Sequence, residues 1–184
     1  MVKIYKSCAI LQSSFLPWLG YFHIINIVEN FIFLDNVQYT KRDWRNRNYI
    51  NNNGNKSWIT IPVITKGKRE QTIENTRFAN DEWNKHFLKQ IKYIYGRSPF
   101  FDEVFFQIEK SISSQKFTSL SQLNICLVKN ISSYLGIKTN FYMSNNLTTS
   151  NDKNLRLIEI CKFFESDIYV SGPSASSYLN QKLF

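Results

Sequence analysis

Phe31-Ile32-Phe33-Leu34 runs directly into Asp35-Asn36-Val37-Gln38-Tyr39, and this junction decides the fold. The apolar run is short, aromatic and β-branched, with no polar face, as expected of a strand buried in a parallel sheet. Ligands in open α/β sheets bind just beyond the carboxyl ends of the strands, which is where Asp35 and Gln38 fall. The next residues are Thr40-Lys41-Arg42-Asp43-Trp44-Arg45-Asn46-Arg47-Asn48-Tyr49-Ile50. Read as an extended segment, residues two apart share a face, so Arg45 and Arg47 would point one way and Asn46 and Asn48 the other. Guanidinium forks suit phosphate oxygens, and amides suit sugar hydroxyls or a base edge. Trp44 offers a stacking face. The plainer alternative is a solvated hairpin arm whose Trp is anchored in the core.

Upstream, Cys8 to Leu11 reads as a strand ending at Gln12. A Pro- and Gly-punctuated loop, Ser13 to Gly20, follows, and then a helix from Tyr21 to Val28. Strand, helix, strand is a βαβ unit that aims Gln12 and Asp35 at one cleft. Downstream, Asn51-Asn52-Asn53-Gly54 predicts a hairpin turn, because Asn and Gly tolerate positive φ. The return strand runs from Ser57 to Val63, with Pro62 near its end, and residues 65–70 form a loop. Three amphipathic helices follow. Their stripes are Trp83, Phe87, Ile91 and Tyr95, then Phe101, Val104, Phe105, Ile108 and Ile112, then Leu120, Leu123, Leu127, Ile131 and Leu135, with Gly136 as a cap.

Thr139 to Met143 reads as a strand, Lys153 to Phe164 as a helix, and Ile168 to Val170 as another short buried strand. Ser171 and Gly172 stand at that strand's carboxyl end, where the backbone can approach a ligand. The predicted fold is α/β: a Rossmann-like three-layer core with a mostly parallel sheet, a β-hairpin arm and a helical insertion. One domain spans 1–184, with the helical segment at about 80–136 between two βαβ parts.

The chain has 184 residues, 43% of them apolar, including 15 Phe and 10 Tyr, which excludes a disordered polymer. Lys and Arg outnumber Asp and Glu by 23 to 14, a net charge of +9 that suits an anionic partner. The charges are scattered, so no dedicated nucleic-acid arm is visible. Cys8, Cys126 and Cys161 form no Cys-x-x-Cys pair and no zinc ligand set. Free thiols of this kind fit a reducing compartment. With no signal peptide pattern and no apolar run of bilayer length, the expected location is the cytoplasm.

The motifs resemble the WbqC-like proteins of bacterial surface-polysaccharide gene clusters. The resemblance rests on Gln12, on Pro17-Trp18-Leu19-Gly20-Tyr21-Phe22, on Asp35 to Tyr39, and on Lys41-Arg42 with Trp44 to Asn48. It continues at Lys85-His86, Lys153 to Leu157 including Arg156, Ser171-Gly172-Pro173, and Ala175 with Tyr178-Leu179. It implies a cytosolic role in O-antigen or lipopolysaccharide assembly: acyl or aminoacyl transfer to the amine of a nucleotide-linked sugar. Related chains continue past Tyr178-Leu179 into a His-Pro-x-Tyr-like stretch. This chain ends at Phe184, so the resemblance implies either a shortened member or one completed by a partner. Asn36 stands where relatives carry a second Asp, which weakens any divalent-metal proposal. A looser resemblance links Trp18-Leu19-Gly20-Tyr21 to the His-x-Gly-His motif of Rossmann-like nucleotidylyl transferases. Both histidines are replaced here, so only the topology carries over.

On this reading Arg45 and Arg47 contact diphosphate, with Lys41 and Arg156 nearby in the motifs, and Trp44 stacks on base or sugar. Gln38, Asn46 and Asn48 bond hydroxyls, while Gln12, Tyr21, Ser171 and Gly172 complete the substrate surface. Amide formation needs a base. Asp35 is one candidate, its alternative role being an ion pair with Arg47 or Lys41. His86 is the other, as base or phosphate contact. His23, among isoleucines, reads as a satisfied, partly buried side chain. No Gly-x-Ser-x-Gly elbow is present, and Ser171 has no assignable histidine, so no covalent intermediate is expected. The sequence names no cofactor and no acyl donor. It leaves homo-oligomerisation open, as it does a non-catalytic nucleotide-binding or partner-docking role.

Overall fold

A computed structural model describes residues 5–184, and the chain divides into two compact units. One comprises the described residues up to Gln12 with Trp18–Leu34 and Gly136–Phe184. The other comprises Ser13–Pro17 and Asp35–Leu135.

The first unit is built on strands β1 (Ser7–Leu11), β2 (Asn30–Phe33), β5 (Asn140–Met143) and β6 (Ile168–Val170). They pair in parallel in the order β5-β2-β1-β6. Side chains on neighbouring parallel strands alternate between faces. Cys8, Ile10 and Ile32 therefore pack on one side against Leu157, Ile160 and Cys161 of helix α5 (Lys153–Phe163). Phe31 turns to the opposite side and meets Tyr21 of helix α1 (Leu19–Asn26) at 5.5 Å between ring centroids. Phe33 and Phe141 stack on that side at 5.8 Å. Helices on both faces of a parallel sheet make a three-layer, Rossmann-like core. Burying each such side chain contributes roughly 1.5–3 kcal/mol, which is why the two central strands carry no polar face.

Ile168-Tyr169-Val170 departs from expectation. It is a strand, but it lies at the sheet edge, and Ile168 is exposed. A strand that pairs on one side only keeps part of its surface in water. The start of α5 is fixed by Asp152, whose Oδ1 accepts the backbone N–H groups of Asn154 and Leu155, each at 2.9 Å. Among the described residues no helix is long and apolar enough to cross a membrane.

The second unit joins the antiparallel hairpin β3 (Arg47–Asn52) and β4 (Asn55–Thr60) to helices α2 (Trp83–Tyr95), α3 (Phe101–Ser113) and α4 (Leu120–Tyr134). Asn53 and Gly54 take φ of 49° and 86°, the turn that matches the strands' twist, and Asn51 Oδ1 accepts from Gly54 N–H at 2.8 Å. The core gathers Phe15, Ile59, Ile61, Ile73, Trp83, Phe87 and Leu123, with Phe15 edge-on to Phe87. Three stripe positions are not part of it: Val104 and Leu135, both exposed, and the half-buried Ile131. Leu135 is the C-cap of α4, and Gly136 follows it at φ 75°, the left-handed conformation expected of a helix stop.

Candidate functional site

Two clusters of polar chemistry stand in the second unit. The first is buried and centres on Asp35, which is 5% exposed. Its Oδ1 accepts the Ser13 backbone N–H at 2.8 Å, and its Oδ2 accepts the Ser121 hydroxyl at 2.5 Å. Asn124, fully buried on α4 one turn beyond Ser121, donates to the Arg45 carbonyl at 2.8 Å and to Ser13 Oγ at 3.4 Å. The Oδ1 of Asn124 has no hydrogen-bond partner. Arg45 donates to Ser14 Oγ at 2.9 Å and the Ser13 carbonyl at 3.3 Å, and pairs with Asp43 at 3.3 Å. Ser13, Asp35 and helix α4, all of this unit, thus meet at a carboxylate. A carboxylate placed there demands donors, because an unbonded charge in the interior is costly. The expected ion pair of Asp35 with Arg47 or Lys41 is replaced by a backbone amide and a hydroxyl.

The extended alternation expected from Arg45 to Asn48 is corrected as well. Residues 44–46 form a turn, and the strand starts at Arg47. The arginines therefore part company: Arg45 turns to the serine loop, and Arg47 lies on the hairpin. Asn46 is buried, accepting from the Tyr39 hydroxyl and donating to the Ile61 carbonyl, both at 2.9 Å. Burial holds the Tyr39 phenol above its ordinary pKa. Asn48 donates to the Leu16 carbonyl at 2.6 Å. Both amides tie loops together, since a buried backbone carbonyl needs a donor.

The second cluster is exposed. Tyr49 and Trp58 face each other across β3 and β4 with rings stacked at 3.8 Å. Trp44 adds a third ring, 5.8 Å from Trp58 and 5.9 Å from Tyr49. Trp44, Tyr49 and Trp58 are 41%, 44% and 39% exposed, so the Trp44 indole is not anchored in the core. The Arg47 guanidinium lies 4.0 Å above the Trp58 ring, a cation–π contact, and donates to the Arg42 carbonyl. Its buried Nε has no hydrogen-bond partner. Lys56 sits 5.6 Å from the Tyr49 ring. Three half-exposed rings beside two cations form a platform on which a flat, anionic ligand can stack and be neutralised.

Other expected site residues take separate places. Gln38 donates to the Arg69 carbonyl at 2.9 Å, and Lys41 is exposed. His86 is exposed on α2, its Nδ1 3.0 Å from the Glu82 carbonyl. His23 is exposed on α1, which corrects its expected burial. In the first unit the Gln12 carbonyl accepts the buried Tyr21 hydroxyl at 3.0 Å. Arg156 Nε donates to the Ser150 carbonyl at 3.0 Å, closing the loop before α5. Ser171 lines a cavity of about 360 Å³, and Gly172 precedes a short 3₁₀ turn, Pro173–Ser177.

Sequence reasoning missed Ser14, Ser121, Asn124, Tyr49 and Trp58. The last two were within reach: counting outward from Asn53-Gly54 pairs Asn52 with Asn55 and, three steps later, Tyr49 with Trp58. Ser121 and Asn124 carried a weaker signal, two polar residues three apart on an otherwise apolar helical face.

The model of the WbqC-like protein family matches residues 12–184. A protein of Mycobacterium tuberculosis (strain ATCC 25618 / H37Rv), described as uncharacterized protein Rv1507c, is 39% identical over 179 residues. The match covers 97% of this chain and 78% of the relative. No solved structure matches.

Proposed function

The chain belongs to the WbqC-like protein family, and on that premise we propose that it is a transferase acting on a nucleotide-linked amino sugar in bacterial surface-polysaccharide assembly. The observation that carries this reading is the platform of Trp44, Tyr49 and Trp58 with Arg47 and Lys56. A nucleotide sugar presents a flat base, a charged diphosphate and an apolar sugar face, and the platform has a matching group for each. In the proposed reaction the sugar amine attacks the carbonyl carbon of an activated acyl or aminoacyl donor. A C–N bond forms, the donor's leaving group departs with its electron pair, and the nitrogen gives up a proton to a base. The base is not one of the platform residues; His86, exposed on α2, is the candidate the motifs supply, its Nε2 presenting a lone pair when Nδ1–H donates to the Glu82 carbonyl. Asp35, both of whose oxygens already accept hydrogen bonds, serves instead to hold Ser13 and Ser121 in place.

Thermal shift against nucleoside-diphosphate sugars, with free nucleotides and free sugars as comparisons, tests the reading. A ligand at a hundredfold excess over its Kd stabilises the native state by about 2.7 kcal/mol. The expected result is a higher Tm with nucleotide sugars and little with either half alone. No shift with any nucleotide sugar overturns the proposal. A non-catalytic nucleotide-binding role is favoured by one observation, the absence of a free carboxylate oxygen on Asp35. Binding without turnover across acyl donors, with steep salt dependence on single strands, supports that alternative.

A further inference from the structure

Cys8 and Cys161 lie 153 positions apart in sequence, yet their sulfurs stand 3.6 Å apart beneath helix α5. Cys8 points from the central strand β1 toward α5, and Cys161 points back from the last turn of that helix. Two further observations give the pair chemistry. Cys161 opens onto the cavity of about 360 Å³, whose walls include Lys162, Ser166, Asp167, Tyr169 and Gln181. Small polar reagents can therefore reach one sulfur although Cys8 is fully buried. The Ser166 hydroxyl, also on that wall, lies beside Cys8 and favours its thiolate form.

We propose that Cys8 and Cys161 form an oxidisable dithiol that a hydroperoxide, entering through the cavity, converts to a disulfide tying α5 to β1. The cavity-facing Cys161 sulfur, as thiolate, attacks the terminal peroxide oxygen. The O–O bond breaks, the alcohol or water leaves, and Cys161 becomes a sulfenic acid. The Cys8 sulfur then attacks that sulfur and expels hydroxide, which takes up a proton as water. Both thiols lose their hydrogens, the two sulfurs are oxidised, and the peroxide is reduced. The sulfurs close from 3.6 Å to about 2.05 Å.

Electrostatics support the loss of one proton by the pair. The Cys8 thiol is drawn down to about 7, first by the hydrogen bond from Cys161 and also by Ser166, against its own burial. Removing the second proton, at Cys161, is opposed first by the hydrogen bond it gives Cys8 and then by burial. The pair therefore loses one proton readily and holds the other between the sulfurs; passing that proton from Cys161 to Cys8 across the 3.6 Å contact leaves the anion on the cavity-facing sulfur. Cys126, in the other unit, behaves in the opposite sense: burial pushes its thiol up. It is the internal control.

The test uses the reduced full chain treated with hydrogen peroxide at neutral pH, then alkylated and mapped without reduction. Expected is a Cys8–Cys161 linked peptide and an intact mass lowered by two hydrogens. Cys126 stays alkylatable and reacts on the order of tenfold more slowly. In Cys8→Ser, which cannot resolve the intermediate, a trappable sulfenic acid should persist on Cys161. If Cys126 oxidises first, or Cys161 proceeds to sulfinic acid with Cys8 still free in the wild type, the proposal is overturned. The wild-type mass readout needs no variant to fold, and the outcome is independent of nucleotide-sugar binding.

Discussion

The buried cluster around Asp35 and the exposed platform on the hairpin are both made of polar and aromatic groups, yet they are built on opposite rules. Around Asp35, the carboxylate and its donors are matched inside the protein, with Asn124 Oδ1 the one acceptor left over. On the hairpin, three rings leave much of their surface to solvent, and the Arg47 guanidinium lies over one of them. The first cluster is bonded almost wholly from within, and the second leaves ring faces open to solvent. Polar density in the sequence therefore marked two different roles with one signature: Asp35, Asn46 and Asn48 hold the frame, while Trp44, Tyr49, Trp58 and Arg47 face outward.

Substitutions separate the two. Asp35→Ala should have the largest effect, since it leaves the Ser13 N–H and the Ser121 hydroxyl buried without an acceptor. A loss of about 3 kcal/mol or more is expected from two bonds to a charged group, read as a fall in Tm of roughly 6–12 °C. A variant as stable as the parent would place Asp35 with the ligand-facing groups. Arg47→Ala should raise the Kd or KM for a nucleotide sugar by about ten- to a hundredfold, the value of a charged hydrogen bond at 1.5–3 kcal/mol. An unchanged constant, by calorimetry or initial rates, removes the guanidinium from the site. Trp58→Ala should weaken binding by roughly five- to a hundredfold through lost stacking, with a smaller change in Tm than Asp35→Ala. A collapse of Tm instead would mean that the platform is structural. Tyr49→Phe keeps the ring and removes the hydroxyl, so binding should change by less than about threefold. A larger loss would convert the stack into a hydrogen-bonding site.

The pH dependence of thiol modification sharpens the same contrast in the other unit. A thiol reacts as its anion, so the rate for the Cys8–Cys161 pair should rise through about pH 7 and level off above it. The rate at Cys126, whose pKa is raised, should still be climbing there. Coincident profiles from stopped-flow alkylation would contradict the pairing.

Much of the frame was legible. The apolar runs at Cys8–Leu11 and Phe31–Leu34, the Asn53-Gly54 turn and the three helical stripes each encode one element through local physics: side-chain period, positive φ, absence of a polar face. The Arg45–Asn48 segment was misread because alternation was assumed before the strand had begun. A turn at 44–46 reverses which way Arg45 points. Ile168–Val170 was read as buried because a short apolar run does not reveal whether it has one neighbour or two.

By itself the sequence determined which stretches become strands and helices and to which family the chain belongs, because periodicity and motif are properties of neighbouring residues. The tertiary structure alone decided which of the polar residues bond one another, that Tyr49 and Trp58 join Trp44 in one exposed group, and that Cys8 meets Cys161. Each of those facts is a distance between residues far apart in the chain, fixed by how sheet register and helix packing close the core, and no local pattern carries it.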